Sequence, residues 1–110
     1  MVDTSELIHR AQGLDCWKTA QLVFKEYGIT IPDFTIDGLK ECTWESVERP
    51  CDNDVPLLVF MRLFPTMDTH VGVFIGESRI IHATSATGVI VSWVSALQNK
   101  ITGYYRPCSR

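Results

Sequence analysis

Over the first quarter of the chain apolar residues recur every three or four positions, and from Val55 onward they alternate or run together. That change of period predicts helices first and strands afterwards. Asp3-Thr4-Ser5-Glu6 reads as a helix start, with Asp3 as cap and Glu6 three residues on, and Gly13 stops this helix near Gln12. In the next segment Cys16, Ala20, Val23, Phe24 and Tyr27 fall on one stripe, which predicts an amphipathic helix opened by Leu14-Asp15-Cys16-Trp17-Lys18. Gly28 suits a left-handed cap, and Pro32 blocks continuation. Residues 29–34 leave the helix extended, because the residue before a proline avoids helical dihedrals. Between 35 and 53 the periodicity is weak; a short helix over 36–42 followed by loop is the expectation.

The second half reads as five strands. Pro56 permits only a strand start, and Leu57-Leu58-Val59-Phe60-Met61 is a buried strand closed by Pro65. Residues 70–75 and 79–84 form a hairpin about Gly76-Glu77-Ser78, 89–93 a fourth strand, and 101–105 a fifth ending at Pro107. Helices followed by an antiparallel meander give an α+β fold with the Cys16 helix packed on the sheet. Trp93, Tyr104 and Tyr105 are expected as core or groove wall.

With 110 residues the chain holds one domain, 1–110, large enough for a real core. A net charge of −3 without any Lys/Arg run argues against nucleic acid as a partner. The apolar run 55–60 is too short to span a bilayer, and the acidic start 1–6 lacks the features of a signal peptide. Synthesis in a cytoplasm without an address of its own is therefore expected. Cys16, Cys42, Cys51 and Cys108 show no Cys-x-x-Cys pair, so neither metal nor other cofactor is expected. A Cys42–Cys51 disulfide is conceivable only outside a reducing compartment, where four free thiols are otherwise the default.

The chemistry centres on Cys16. It lies in the first helical turn, where unpaired N–H groups and the positive dipole end favour a thiolate, rather than in mid-stripe as a structural cysteine would. Attack on a carbonyl also needs a base and a group that orients the base. If the hairpin loop is Gly76-Glu77-Ser78, then Ile75 pairs with Arg79, Gly72 sits opposite His82, and His70 shares a face with His82. Diagonal neighbours of this kind lie about 7–8 Å apart, near enough for two rings to touch. A two-residue loop would send them to opposite faces. Gly72 leaves room beside His82. Against this stand plainer readings: Cys16 as a small core residue, either histidine as a satisfied strand-end group like His9 on its helix, and Trp17 as packing.

Asp15-Cys16-Trp17, the helix that follows and Gly28-Ile29-Thr30-Ile31-Pro32 resemble the nucleophile helix of the NlpC/P60 cysteine peptidases. His70-Val71-Gly72-Val73-Phe74-Ile75-Gly76 resembles that family's base-bearing strand, and Ile81-His82-Ala83 the strand of its third catalytic residue. Gly88-Val89-Ile90-Val91, Gly103-Tyr104-Tyr105-Arg106-Pro107 and Trp17 resemble the phage-tail branch. The resemblance runs from about Leu14 to Pro107. It implies a papain-like fold, hydrolysis of peptidoglycan stem peptides next to γ-D-glutamyl residues, and a thioester intermediate. Cys16 would be nucleophile, His70 general base and acid, and His82 the group orienting His70. The Cys16 N–H would be an oxyanion donor, while Asp15 and Trp17 would border the substrate.

Three departures from the family pattern stand out. Residues 1–14 hold no tyrosine, which the family usually places before the cysteine to complete the oxyanion hole. Lys18 stands where glycine is usual, and Asn53-Asp54-Val55-Pro56 replaces the usual Gly-Asp. Two classes of function follow: a tail-tip hydrolase that opens the wall for DNA entry, with other tail-tip or hub proteins as partners, or a structural tail component with an idle site. A secreted wall-degrading effector is a third.

Overall fold

A computed structural model describes residues 3–32, 43–62, 70–84 and 87–108. Helix α1 spans Thr4–Ala11, and the Asp3 carboxylate caps it by accepting from the Glu6 N–H at 3.1 Å. Helix α2 spans Cys16–Glu26. It ends as the sequence suggests: Gly28 takes φ +81°, its N–H donates to the Lys25 carbonyl, and the Ile29 N–H donates to the Phe24 carbonyl. That pair of bonds answers the orphan carbonyls of the last turn. Arg10 of α1 forms an ion pair with Glu26 of α2. The expected helix over 36–42 lies outside the described residues.

Among the described residues six antiparallel strands follow: β1 Thr43–Ser46, β2 Leu57–Met61, β3 His70–Phe74, β4 Arg79–Thr84, β5 Gly88–Trp93 and β6 Ile101–Cys108. Their order in the sheet is β1-β6-β2-β3-β4-β5. The five-stranded expectation is thus corrected to six. The missed strand carries a single apolar residue, Trp44, in four, which is too little pattern to read as a strand. The chain is a meander only from β2 to β5; β6 returns to pair with β2 on its far side, and β1 closes that edge. Strand β6 also outruns its expected end. Past Tyr105 it pairs with β1 alone, Pro107 lying opposite Trp44, so one side of the strand is open and a residue without an N–H is tolerated.

Two apolar clusters flank the sheet. One joins Leu7, Ala11, Trp17, Ala20, Val23 and Phe24 of the helices to Leu58, Val71, Val73, Ile81, Ala83 and Val89. The other joins Leu57, Val59, Met61, Phe74, Ile80 and Leu97, the last from the helical turn Val94–Leu97. Strand alternation assigns the two sets: residues with adjacent numbers fall in different clusters. Trp93, expected in a core or groove wall, is 60% exposed. It is the last residue of β5, which among the described residues is an edge strand, so no described strand covers it.

Gln12, just after α1, acts as a surrogate strand. Its side-chain amide donates to the Val89 carbonyl at 3.0 Å, and its side-chain oxygen accepts the Val89 N–H at 3.3 Å. Among the described residues no helix is long and apolar enough to cross a membrane.

Candidate active site

The β3–β4 hairpin holds the two buried histidines. Gly76, Glu77 and Ser78 all take positive φ (86°, 53° and 59°), and the Ile75 N–H donates to the Arg79 carbonyl at 3.0 Å. This is the three-residue loop that the sequence favours. The ladder then runs Phe74–Ile80, Val73–Ile81 and Gly72–His82. His70, two residues before Gly72, shares the His82 face as anticipated. His70 Nε2 and His82 Nδ1 lie 3.3 Å apart, with the rings edge to face at 83°. His82 Nε2 in turn lies 2.8 Å from Ser92 Oγ on β5. His70 is 6% exposed and His82 3%. Gly72 is required at its place: a Cβ there would lie 2.8 Å from Ile80 Cγ2 and 3.0 Å from His82 Cβ.

Burial sets the charge of this pair. Desolvation lowers the His70 pKa below its ordinary value. For His82, desolvation and then repulsion from His70 push it down to about 4. His82 is therefore neutral at physiological pH, with one ring proton and one lone pair.

Cys16 is the first residue of α2, and its backbone N–H therefore has no acceptor within the helix. Its side chain is half-buried, packed against the cluster that contains Val71 and Val73. Helix α2 lies across β3 and β4. Among the described residues, however, the thiol forms no hydrogen bond with either imidazole. The structure thus joins His70 to His82 and leaves Cys16 unbonded to them. Hydrogen bonds of this kind are often long before substrate binds.

Asp15 is exposed and caps α2, its carboxylate accepting the Lys18 N–H at 2.7 Å and its carbonyl the Thr19 N–H at 2.9 Å. Trp17 turns inward: it is 7% exposed, and its indole N–H donates to the Pro32 carbonyl at 2.9 Å. The plainer reading of Trp17 as packing describes it. Ser92 was missed; its place on a strand of mixed burial carries no signal beyond a polar residue among apolar ones. An open cavity of about 520 Å³, lined by Glu48, Asp52, Phe74, Ser78, Gln98 and Tyr104 among others, includes none of these site residues.

Residues 7–106 match the NlpC/P60 family. The chain belongs to that family. Three curated relatives are similar to this NlpC/P60 chain over 82 residues at 30% identity: the proteins named Murein DD-endopeptidase MepS/Murein LD-carboxypeptidase of Escherichia coli strain K12, strain O6:H1 and O157:H7. The match covers 74% of this chain and 42% of each relative, so the chain spans about two-fifths of their length. Among solved structures, a lipoprotein-like NLP/P60-family protein of Staphylococcus aureus superposes with a TM-score of 0.58 at 17% identity, covering 96% of this chain and 40% of the other. At that identity the likeness speaks for the NlpC/P60 fold alone.

Proposed function

We propose that this NlpC/P60 domain is a cysteine peptidase acting on peptidoglycan stem peptides. The observation that carries the reading is the His70–His82 bond, made possible by Gly72, in a chain whose family relatives include a named murein endopeptidase. In this mechanism His70 Nδ1 takes the Cys16 proton, and sulfur attacks the scissile carbonyl carbon. The Cys16 N–H stabilises the resulting oxyanion. The leaving amine takes the proton from His70, a thioester remains, and water, activated by the same imidazole, releases the acid. His82 orients His70 throughout. Asp15, exposed beside Cys16, borders the subsite for the substrate amine. The cleaved bond lies next to a γ-D-glutamyl residue. The motifs that resemble the phage-tail branch support a reading in which the domain is made in a host cytoplasm and docks on neighbouring proteins of a virion tail tip, where it opens the wall for DNA entry.

Digestion of purified sacculi tests this. Muropeptide release by the wild-type chain, lost in Cys16→Ala and in His70→Ala with the fold intact, is the expected result. Retained activity in either variant overturns the cysteine mechanism. Mass spectrometry of purified particles tests the tail assignment, which fails if the chain is absent from them.

A second reading is favoured by two observations: residues 1–14 contain no tyrosine, and the thiol forms no hydrogen bond with either imidazole. On that reading the domain is a tail component whose site is idle. Losing one oxyanion donor costs about 2.7–4 kcal/mol, a factor of roughly 10²–10³ in turnover. Assembled particles that release muropeptides much faster than the isolated domain, at equal thiol concentration, would show that a neighbour completes the site. No release from either supports the idle reading.

A further inference from the structure

Ser92 is not among the residues that the peptidase reading assigns. It lies on β5 opposite Ile80 and two residues from Ile90, the partner of His82, so it is the diagonal neighbour of His82. Its hydroxyl oxygen is 2.8 Å from His82 Nε2, while His82 Nδ1 is 3.3 Å from His70 Nε2. Three side chains on three consecutive strands therefore form one hydrogen-bonded row. We propose that Ser92 is a positioning residue: by accepting from His82 Nε2–H it holds the tautomer whose Nδ1 lone pair faces His70. This inference rests on the reading of His70 as the base.

The row can be polarised in two directions, and only one serves a base. If Ser92 accepts, the single His82 ring proton sits on Nε2, and His82 Nδ1 accepts from His70 Nε2–H. His70 Nδ1 is then a lone pair, free to receive the Cys16 proton. If Ser92 donates instead, His82 carries its proton on Nδ1 and donates to His70 Nε2. His70 then carries its own proton on Nδ1 and can take none there. The first polarity also suits the step after transfer, when His70 has both N–H groups and still needs an acceptor at His82 Nδ1. The one-proton bookkeeping holds because His82 is buried and neutral at physiological pH. Among the described residues, His70 is the one titratable group that acts on it electrostatically. Ser92 is only partly buried, so it can turn its own hydroxyl proton to water.

Nitrogen-15 NMR of the histidine rings at pH 7.5 tests the tautomer directly, in wild type, Ser92→Ala and Ser92→Thr. The expected wild-type spectrum has His82 protonated on Nε2 and bare on Nδ1. Ser92→Ala should give a mixture, and Ser92→Thr should restore the wild-type pattern. In parallel, kcat for muropeptide release should fall about 3- to 10-fold in Ser92→Ala, the worth of one neutral hydrogen bond, with KM unchanged and Ser92→Thr near wild type. A wild-type His82 protonated on Nδ1 overturns the proposal even if the alanine variant fails to fold. So does an alanine variant with wild-type tautomer and kcat. A wild-type chain that releases no muropeptide either alone or in assembled particles overturns the peptidase reading instead, and the ring spectra still decide the role of Ser92.

Discussion

Gly72 faces His82 across the β3–β4 ladder so closely that a methyl group at position 72 would stand 3.0 Å from His82 Cβ and 3.0 Å from the Ile81 carbonyl oxygen. The closest clash, 2.8 Å to Ile80 Cγ2, can be eased by that side chain, but the Ile81 carbonyl and His82 Cβ yield only if β4 itself shifts, and the imidazole moves with it. Gly72→Ala should cost about 1–3 kcal/mol through overpacking. Urea unfolding measures that. The sharper expectation is that muropeptide release falls further than stability alone would explain, because His82 is displaced from His70. Wild-type turnover in a folded Gly72→Ala chain would show that the His70–His82 bond is dispensable.

On the proposed function Asp15 has two separable tasks. As the cap of α2 it should contribute about 1 kcal/mol, which Asp15→Ala loses and Asp15→Asn largely keeps, since asparagine caps as well. As a charged wall of the substrate subsite, it should lose its effect in both variants. The expected outcome is a lowered Tm in Asp15→Ala alone and a raised KM in both. An unchanged KM in Asp15→Asn would confine Asp15 to the fold.

Acid should weaken the domain through its buried histidines. A histidine whose folded pKa lies below its unfolded value binds fewer protons when folded, so stability rises with pH between the two values. For His82 the window runs from about 4 up to the ordinary 6.5. Its contribution, on the order of 3 kcal/mol, should be fully present at pH 7.5 and largely gone at pH 4. His70, also lowered by burial, adds a slope of the same sign. Urea midpoints at pH 7.5, 6 and 4.5 measure this, and His82→Asn should flatten the profile. A profile of equal steepness in that variant would place the proton uptake elsewhere.

Thiol labelling separates the described free cysteines. Cys16 is half-buried at a helix start, whereas the exposed Cys51 donates its thiol proton to the Asp54 carboxylate at 3.2 Å. Iodoacetamide at neutral pH should label Cys16 faster than Cys51 despite its lower exposure, and His70→Ala should slow Cys16 alone. Faster labelling of Cys51 would deny Cys16 any activation.

Much of this site could be read from the sequence because it depends on local rules. The Gly76-Glu77-Ser78 loop fixes the hairpin register, and the period of two then carries His70 and His82 to one face. Gly28 and Asp3 mark helix ends through the same kind of short-range bond. Other features were hidden because long-range partners decide them. Thr43–Ser46 is a strand only because the end of β6 lies beside it. Trp17 is buried and Cys16 only half-buried, and the Trp17 indole finds its acceptor at the Pro32 carbonyl, beyond the end of the helix. Ser92 acquires a role only once β5 lies against β4. Asp15, by contrast, was a cap that its place one residue before the helix could have revealed.

The Gln12 side chain has a consequence for how the sheet ends. Among the described residues strand β5 is an outer strand, and an outer strand offers its free backbone groups to any extended segment that approaches. At Val89 both groups are already engaged by one amide side chain, which mimics the peptide unit of a seventh strand without continuing it. An incoming strand would have to displace that amide and lift the end of α1 with it. The first helix of the domain thus serves as a stopper on the sheet's growth, placed three positions from Ser92. Whatever this chain assembles with, that edge is closed to it at Val89 while Gln12 stays in place.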